Sequence, residues 1–410
     1  MLRTLYTALW YAALPPGLPL YAVRNLLSGR GAGGVWSRLY LSGRPLPAAH
    51  PVVWLHAVSV GETLAAQPVW ERLRAEVALT GVITTTTLTG QTLARKRLQA
   101  DYFGYFPFDL PGACARALRQ LTPCVVLYTE TELWPNFILA AARAGVKQAL
   151  INGRISDRSF AGYRRWRGLF AGALAALDWC AMQTPADAER LIALGARPER
   201  VTVVGNTKFD SIALLARRAP HPLTQGAPAY WVAGSTHPGE HEAVLNAHAR
   251  LRANARLVIC PRHPQRAGEV LAAVKARGWS GQLLSAGGAW RSEVLIIDTI
   301  GDLAGFYAPA QVVFLGGSFI PHGGQNMLEP MVFGVPVLYG PHTHNFRAAV
   351  ALLEGHGGMT VADEEALVTV ARALLKDPAR RTACGIEGRA LVLAQAGASA
   401  SITARVREWL

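Results

Sequence analysis

The residues best suited to chemistry in this chain stand where apolar runs break off. Gly316 to Pro330 reads Gly-Gly-Ser-Phe-Ile-Pro-His-Gly-Gly-Gln-Asn-Met-Leu-Glu-Pro, directly after the apolar Val312-Val313-Phe314-Leu315. A strand, a glycine loop and a helix start, in that order, put backbone N–H groups where an anion can dock. Asn326 and Glu329 are three residues apart. A helix there sets them on one face, one to meet phosphate or base and the other to accept from sugar hydroxyls. Similar breaks recur. Residues 52–56 are followed by Ser59-Val60-Gly61-Glu62, residues 125–128 by Glu130-Thr131-Glu132-Leu133-Trp134-Pro135-Asn136, and residues 148–151 by Asn152-Gly153-Arg154. Gly205-Asn206-Thr207-Lys208, Gly234-Ser235-Thr236-His237, Pro261-Arg262-His263-Pro264 and Asp298-Thr299-Ile300-Gly301-Asp302-Leu303 close other runs. One such coincidence needs only a helix cap, which favours the same residue types. Its repetition in both halves points to ligand binding beyond the carboxyl ends of strands.

The elements that must position these residues follow from the apolar pattern. Short β-rich runs at 52–56, 82–86, 125–128, 148–151, 180–183 and 201–204 alternate with amphipathic stretches such as 66–78, 90–100 and 136–144. The segment 213–229 contains Pro220, Pro222, Gly226 and Pro228 and reads as an interdomain linker. Alternation resumes at 230–233, 257–260, 294–297, 312–315 and 335–339. Strands alternating with helices imply parallel sheets covered on both faces. The expectation is an α/β protein with two doubly wound, Rossmann-like domains facing a cleft, one over 31–212 and one over 230–410. The last helical stretch, 394–410, can pack on either.

Composition narrows the function classes. The chain has 410 residues, enough for two domains, and is 51% hydrophobic, which excludes a disordered protein. Its mean hydropathy of +0.19 hints at membrane contact. With 41 Lys+Arg against 27 Asp+Glu, the net charge of +14 draws polyanions: nucleic acid, anionic lipid headgroups or a phosphorylated substrate. The five scattered cysteines, Cys114, Cys124, Cys180, Cys260 and Cys384, suggest neither a disulfide framework nor a zinc site, and a reducing compartment fits best. His237, His241, His322, His342 and His344 match no metal-ligand spacing and read as scattered surface histidines. Residues 4–23 carry no charged side chain and are followed by Arg24, Arg30, Arg38 and Arg44, an excess that places the bulk of the protein on the cytoplasmic side. Pro15, Pro16 and Pro19 weaken a straight helix, so residues 1–30 are expected either to anchor in the membrane or to dip into it, with Tyr6, Trp10, Tyr11 and Tyr21 as interfacial aromatics. An apolar helix buried in the first domain is the other reading.

At this point the residues resemble a known family. Ser59-Val60-Gly61-Glu62, the segment Glu130 to Asn136, Asn152-Gly153-Arg154, Gly205-Asn206-Thr207-Lys208-Phe209-Asp210, Pro261-Arg262-His263-Pro264 and Gly323-Gly324-Gln325-Asn326-Met327-Leu328-Glu329-Pro330 are similar to motifs of the lipid A Kdo (3-deoxy-D-manno-octulosonic acid) transferases, in the family's order as far as about Asn345. The resemblance implies a GT-B glycosyltransferase fold and inverting, metal-independent transfer of Kdo from CMP-Kdo to a lipid A precursor. It implies no cofactor, and attachment to the cytoplasmic face of the inner membrane, where anionic lipid is a partner. One departure is Gln325, where family members commonly carry His.

The resemblance also assigns roles. Glu62 becomes the base that deprotonates the acceptor hydroxyl; from local sequence alone it reads better as a first-turn carboxylate complementing the helix dipole. Glu130 becomes a transition-state stabiliser, with Glu132 as a possible helper; Glu132 reads about equally as the cap of the helix opening at Trp134-Pro135. Lys208 is a compact cation suited to developing negative charge or to the Kdo carboxylate. The donor falls to Pro261 and Arg262, Gly301, Asp302 and Leu303, and Asn326, Met327, Leu328 and Glu329. CMP carries one phosphate, which suits the forked guanidinium of Arg262. Arg154, Arg164 and Arg165 lie in a basic–aromatic segment fitted to the phosphates of the acceptor and to a membrane surface, or to a solvated helix face. Nucleic acid is not expected, since no recognised binding motif is present. Two other classes compete: a different two-domain nucleotide-sugar enzyme such as an epimerase, and a non-enzymatic basic protein that binds anionic lipid.

Overall fold

The computed structural model describes residues 2–27, 36–41 and 45–410. The expected flanking arginines Arg30 and Arg44, and the boundary set at residue 30, lie outside the described residues. The chain divides into two compact units, Met1–Ser211 with Ala396–Leu410, and Ile212–Gln395.

The first unit is built on seven strands: β1 (Val52–His56), β2 (Thr80–Thr85), β3 (Tyr102–Tyr105), β4 (Val125–Thr129), β5 (Lys147–Gly153), β6 (Trp179–Met182) and β7 (Val201–Val203). They form one parallel sheet in the order β3-β2-β1-β4-β5-β6-β7. Helices cover both faces, which is why the central strands read as unbroken apolar runs rather than alternating ones. Val52 and Trp54 pack into one core with Tyr128 and Phe137. Val53 and Leu55, pointing the other way, pack into a second core with Leu127 and Ile151. The strand order reverses between β1 and β4, so the loops leaving those two strands flank the crevice where doubly wound sheets take their ligands.

The helix Ala398–Arg407 completes this unit. Ile402 and Val406 are wholly buried in the core that holds Leu55 and Trp70, and Arg407 pairs with Glu76 at 2.9 Å. Asp210 fixes the start of this helix, accepting from Gly397 N and Ser399 Oγ, both at 2.9 Å. The expected domain of 230–410 therefore loses residues 396–410 to the first unit. The boundary itself falls inside a helix, Thr207–Leu215, because Ala213 to Leu215 continue the turn begun at Thr207. Much of the expected linker is held by the second unit: His221 stacks on Phe306 at 4.6 Å and donates its N–H to Gly305 O.

At the amino end, the helix Leu2–Leu27 includes Pro15, Pro16 and Pro19. Trp10 lies 5.9 Å from Phe108, and Thr7 accepts from Asn136 Nδ2 at 3.0 Å, so one side is packed on the first unit. Leu5, Leu9 and Tyr11 are more than half exposed. Among the described residues, no helix is long and apolar enough to cross a membrane.

The second unit repeats the plan with β8 (Tyr230–Thr236), β9 (Arg256–Pro261), β10 (Gly281–Leu283), β11 (Val294–Ile296), β12 (Val313–Leu315), β13 (Val337–Tyr339) and β14 (Gly358–Thr360). The parallel order is β10-β11-β9-β8-β12-β13-β14, with the reversal between β8 and β12. The expected pair of doubly wound α/β sheets is present. Three strands went unread from the sequence, β3, β10 and β14, and each lies at a sheet edge.

Candidate active site

In the first unit the chemistry gathers at the β1/β4 switch point. The chain leaves β1 and turns into the helix Val60–Glu76 with Ser59 as its N-cap, whose hydroxyl accepts from Glu62 N at 3.5 Å. The Glu62 carboxylate reaches back. One oxygen accepts from Val58 N at 2.7 Å and the other from Ser59 Oγ at 3.0 Å, a variant of the capping box in which the carboxylate takes the N–H one residue before the cap. Both readings of Glu62 are thus compatible: the cap fixes the side chain, and each oxygen keeps a lone pair for a substrate proton. Burial raises its pKa; the two hydrogen bonds and the charge of Lys208 oppose that, and Glu130 adds to it.

Glu130 leaves β4 in the left-handed region, at φ 61°, with its N–H bonded to Ile151 O at 2.9 Å. A side chain at such a φ is strained, and strain of this kind gathers at ligand sites. Its Oε1 meets Lys208 Nζ at 3.2 Å. Lys208 is delivered by the first turn of Thr207–Leu215. There Thr207 N donates to Asn152 Oδ1 at 3.0 Å and Thr207 Oγ1 donates to Ala65 O at 2.6 Å. Asn152, itself at φ 52°, thereby ties the end of β5 to the lysine helix. Three motifs far apart in sequence converge on one carboxylate–ammonium set.

Glu132 does not cap the helix Pro135–Arg143. Asp109, from the segment after β3, takes that place, accepting from Phe137 N at 2.7 Å and Asn136 N at 3.1 Å. Glu132 instead accepts from Trp134 Nε1 at 2.9 Å and faces His56 Nε2 at 4.0 Å. Burial first, then the charges of Glu62 and Glu130, push its carboxyl up to about 8. Arg154, Arg164 and Arg165 are all exposed. The carbonyl of Arg154 accepts from Thr131 Oγ1, which places the residue beside the carboxylate loop, and Arg164 lies 5.8 Å over the Phe160 ring.

In the second unit the glycine loop behaves differently from expectation. Its first N–H groups are taken. The wholly buried Glu240 carboxylate accepts from His237 N at 2.8 Å, Gly317 N at 2.7 Å, and Ser318 N and Phe319 N at 3.0 Å each. Gly316 must be glycine, since a Cβ there would stand 2.5 Å from Thr236 Cα and 2.7 Å from the Glu240 carboxylate. The protein's own anion occupies the nest that a sequence reading leaves to a ligand. The expected helix carrying Asn326 is also shorter, one turn over Leu328–Met331. Asn326 precedes it, accepting from Leu328 N and donating to Glu329 Oε1, both at 3.2 Å.

Of the remaining donor-side candidates, Arg262 lies close enough to that turn to act on Glu329. Burial raises the Glu329 pKa, while the Asn326 hydrogen bond and the nearby Arg262 charge pull it down. Pro261 ends β9, and exposed Arg262 is held by its own N–H to Thr236 O at 2.9 Å. Gly301, at φ 100°, and Asp302, which accepts from Thr299 Oγ1 at 2.6 Å, turn the chain into the short helix that begins at Leu303. Leu328 is half-buried, whereas the Met327 side chain is wholly buried, so only its backbone can meet a ligand. Nor are the histidines all scattered. His237 lies 4.0 Å from His322 and 6.1 Å from His263, ring to ring, because the loops after β8, β9 and β12 meet at the switch point. Burial lowers the His237 pKa, with the His322 charge adding to it. Among the described residues, no group of three or more His, Cys, Asp or Glu is arranged to hold a metal ion.

Comparison with known proteins gives this geometry a family. A model described as 3-deoxy-D-manno-octulosonic-acid transferase (kdotransferase) matches residues 34–211. The 3-deoxy-D-manno-octulosonic acid transferase of Bordetella pertussis is 37% identical, over 93% of this chain and 94% of that protein. The chain belongs to the Kdo transferases. The enzyme of the same description from Haemophilus influenzae is 30% identical, over 97% of this chain and 96% of that one. Among solved structures, a UDP-GlcNAc 2-epimerase from Neisseria meningitidis bound to UDP-GlcNAc aligns with a TM-score of 0.59 over 87% of this chain and 100% of its own; at 14% identity it speaks for the fold alone. The fold is α/β of the GT-B type, and the chain is a glycosyltransferase. Within this Kdo transferase, Gln325 approaches His237 Nε2 at 3.1 Å through its side-chain amide.

Three participants escaped the sequence reading. His56 was read only as a strand end. Asp109 and Glu240 bond to segments 27 and 77 residues downstream, which no local pattern announces. The Ser-x-x-Glu spacing was a local signal for the capping box.

Proposed function

We propose that this chain transfers Kdo from CMP-Kdo to a lipid A precursor, inverting the anomeric carbon, at the cytoplasmic face of the inner membrane. The observation that carries the reading is the set of Glu62, Glu130 and Lys208 at the switch point of the first sheet, on motifs shared with the Kdo transferases. Glu62, pinned by Val58 N and Ser59 Oγ, takes the proton of the acceptor hydroxyl as its oxygen attacks the anomeric carbon. The bond from that carbon to the phosphate oxygen breaks, and the electron pair leaves on CMP. Lys208 meets the negative charge of the Kdo carboxylate or of the leaving group, and Glu130 holds it in place at 3.2 Å while stabilising the positive charge that develops at the anomeric carbon.

The donor's single phosphate is met by Arg262, and its nucleoside by Pro261, by Gly301 to Leu303 and by Asn326 to Glu329; the reading requires neither cofactor nor metal. Arg154, Arg164 and Arg165, all exposed, suit the phosphates of the acceptor. Exposed Leu5, Leu9 and Tyr11 on the amino-terminal helix, with half-exposed Trp166 beside the arginines, suit an acyl and anionic-headgroup surface.

The test is mass spectrometry of a tetra-acylated lipid A precursor after incubation with CMP-Kdo and the purified chain. A mass gain of one or more Kdo units is expected, and its absence overturns the reading. Glu62→Gln is expected to lower turnover by roughly 10²–10⁴ with CMP binding nearly unchanged; full residual activity removes Glu62 from the role of base.

A further inference from the structure

The wall beside the carboxylates contains a group that the transfer chemistry leaves unused. His56, the last residue of β1, is wholly buried, its ring 3.9 Å from that of Phe106. Its Nδ1 lies 3.1 Å from Thr84 O. Thr84 Oγ1 stands at the same 3.1 Å from this nitrogen and already accepts from Trp54 Nε1 at 2.7 Å. The carbonyl only accepts and the hydroxyl can accept again, so an imidazole hydrogen on Nδ1 satisfies both and leaves Nε2 a bare acceptor. Nε2 is buried and has no hydrogen-bond partner. What faces it is Glu132 Oε2 at 4.0 Å, fixed there by Trp134 Nε1.

An ionised Glu132 would bring an acceptor against an acceptor, next to two further carboxylates. A protonated Glu132 brings the missing donor. The pair is not a salt bridge, because burial holds His56 neutral down to about 3 while Glu132 keeps its proton up to about 8. One proton is available to the two side chains, and the carboxyl has it.

We propose that Glu132 is a positioning residue that works as a neutral carboxylic acid: it donates to His56 Nε2 and so leaves the site's negative charge on Glu62 and Glu130. For that bond to form, the 4.0 Å separation must close to about 2.8 Å, with the protonated oxygen still able to accept from Trp134 Nε1. The groups facing Glu132 are His56 from β1, Glu62 from the helix Val60–Glu76, Glu130 of its own loop with Lys208 behind it, and Tyr163 from the helix Asp157–Arg165, while the charge of Arg38 acts on His56. No cation among them touches Glu132. Its ionisation above about 8 therefore adds uncompensated charge beside an acidic sugar, and transfer gains an alkaline limb set by this residue. The catalytic consequence rests on the Kdo-transfer reading; the protonation state does not.

Two measurements separate them. The first is infrared difference spectroscopy of the carboxylic-acid C=O stretch, wild type minus Glu132→Gln, titrated on the purified full chain. A band present at pH 7 and lost near pH 8 is expected; no band at pH 7 overturns the proposal, whether or not Kdo is transferred. The second is the pH profile of transfer. Glu132→Gln, whose amide can still donate to His56, is expected within about threefold of wild type at pH 7 but without the alkaline limb. Glu132→Ala is expected to lose at least tenfold. Equal loss in both variants, or an alkaline limb that survives in Glu132→Gln, overturns the positioning role. A wild-type chain that transfers no Kdo overturns the activity reading alone and leaves the infrared result to decide this one.

Discussion

Glu62, Glu132 and His56 show how burial and neighbours set the charge of three side chains in one site. Glu62 is tied to a backbone N–H and a hydroxyl that favour its ionised form, whereas Glu132 has only an indole N–H and two negative neighbours. The difference is measurable in stability. Glu132 binds a proton more tightly when folded, so its stabilisation is complete below the ordinary glutamate range and is lost as pH rises from about 4.5 to about 8, on the order of a few kcal/mol. His56 runs the other way: its folded pKa is depressed, so stability is full above about 6.5 and is lost as pH falls towards about 3. Thermal unfolding across this range is expected to show a Glu132→Gln variant that gains stability over wild type with rising pH and levels off above pH 8. The meeting of Glu62, Glu130 and Lys208 at one switch point was legible because family motifs bracket all three. The His56–Glu132 pairing was not, since it joins a strand end to a loop 76 residues on and depends on burial that no local window reports.

At the scale of elements, every central strand was readable, and of the four edge strands only β7 was. β1 is buried at every position and announces itself as Val-Val-Trp-Leu-His. β3, Tyr-Phe-Gly-Tyr, and β10, Gly-Gln-Leu, are short, half-buried edge strands without the apolar run that marks a strand covered on both faces. The glycine loop after β12 was legible as a loop but not in what fills it. Glu240 lies at the start of a helix on the neighbouring strand connection, and its carboxylate replaces solvent for four N–H groups. Glu240→Ala orphans all of them at once and is expected to cost about 3 kcal/mol or more, read as a lower melting temperature together with weaker CMP binding. A variant that melts as wild type does would show that the loop is held by other contacts.

For the whole molecule, a net charge of +14 and the exposed apolar residues of the amino-terminal helix act together. Binding to vesicles containing anionic lipid is expected to weaken steeply with added salt, and to weaken further when Leu5, Leu9 and Tyr11 are replaced by serine. Retention on neutral vesicles at high salt by the serine variant would contradict this. The doubly wound plan was legible from alternation alone, but the return of residues 396–410 to the first unit was open in the sequence, because an amphipathic helix does not name the face it will cover. That return sets an order of events at the ribosome. The platform that seats Glu62 lacks Ile402 and Val406 until after the entire second unit has been synthesised. A nascent chain cut short near Gln395 leaves bare the greasy surface that these two side chains roof, and is expected to bind a hydrophobic dye that the full chain does not.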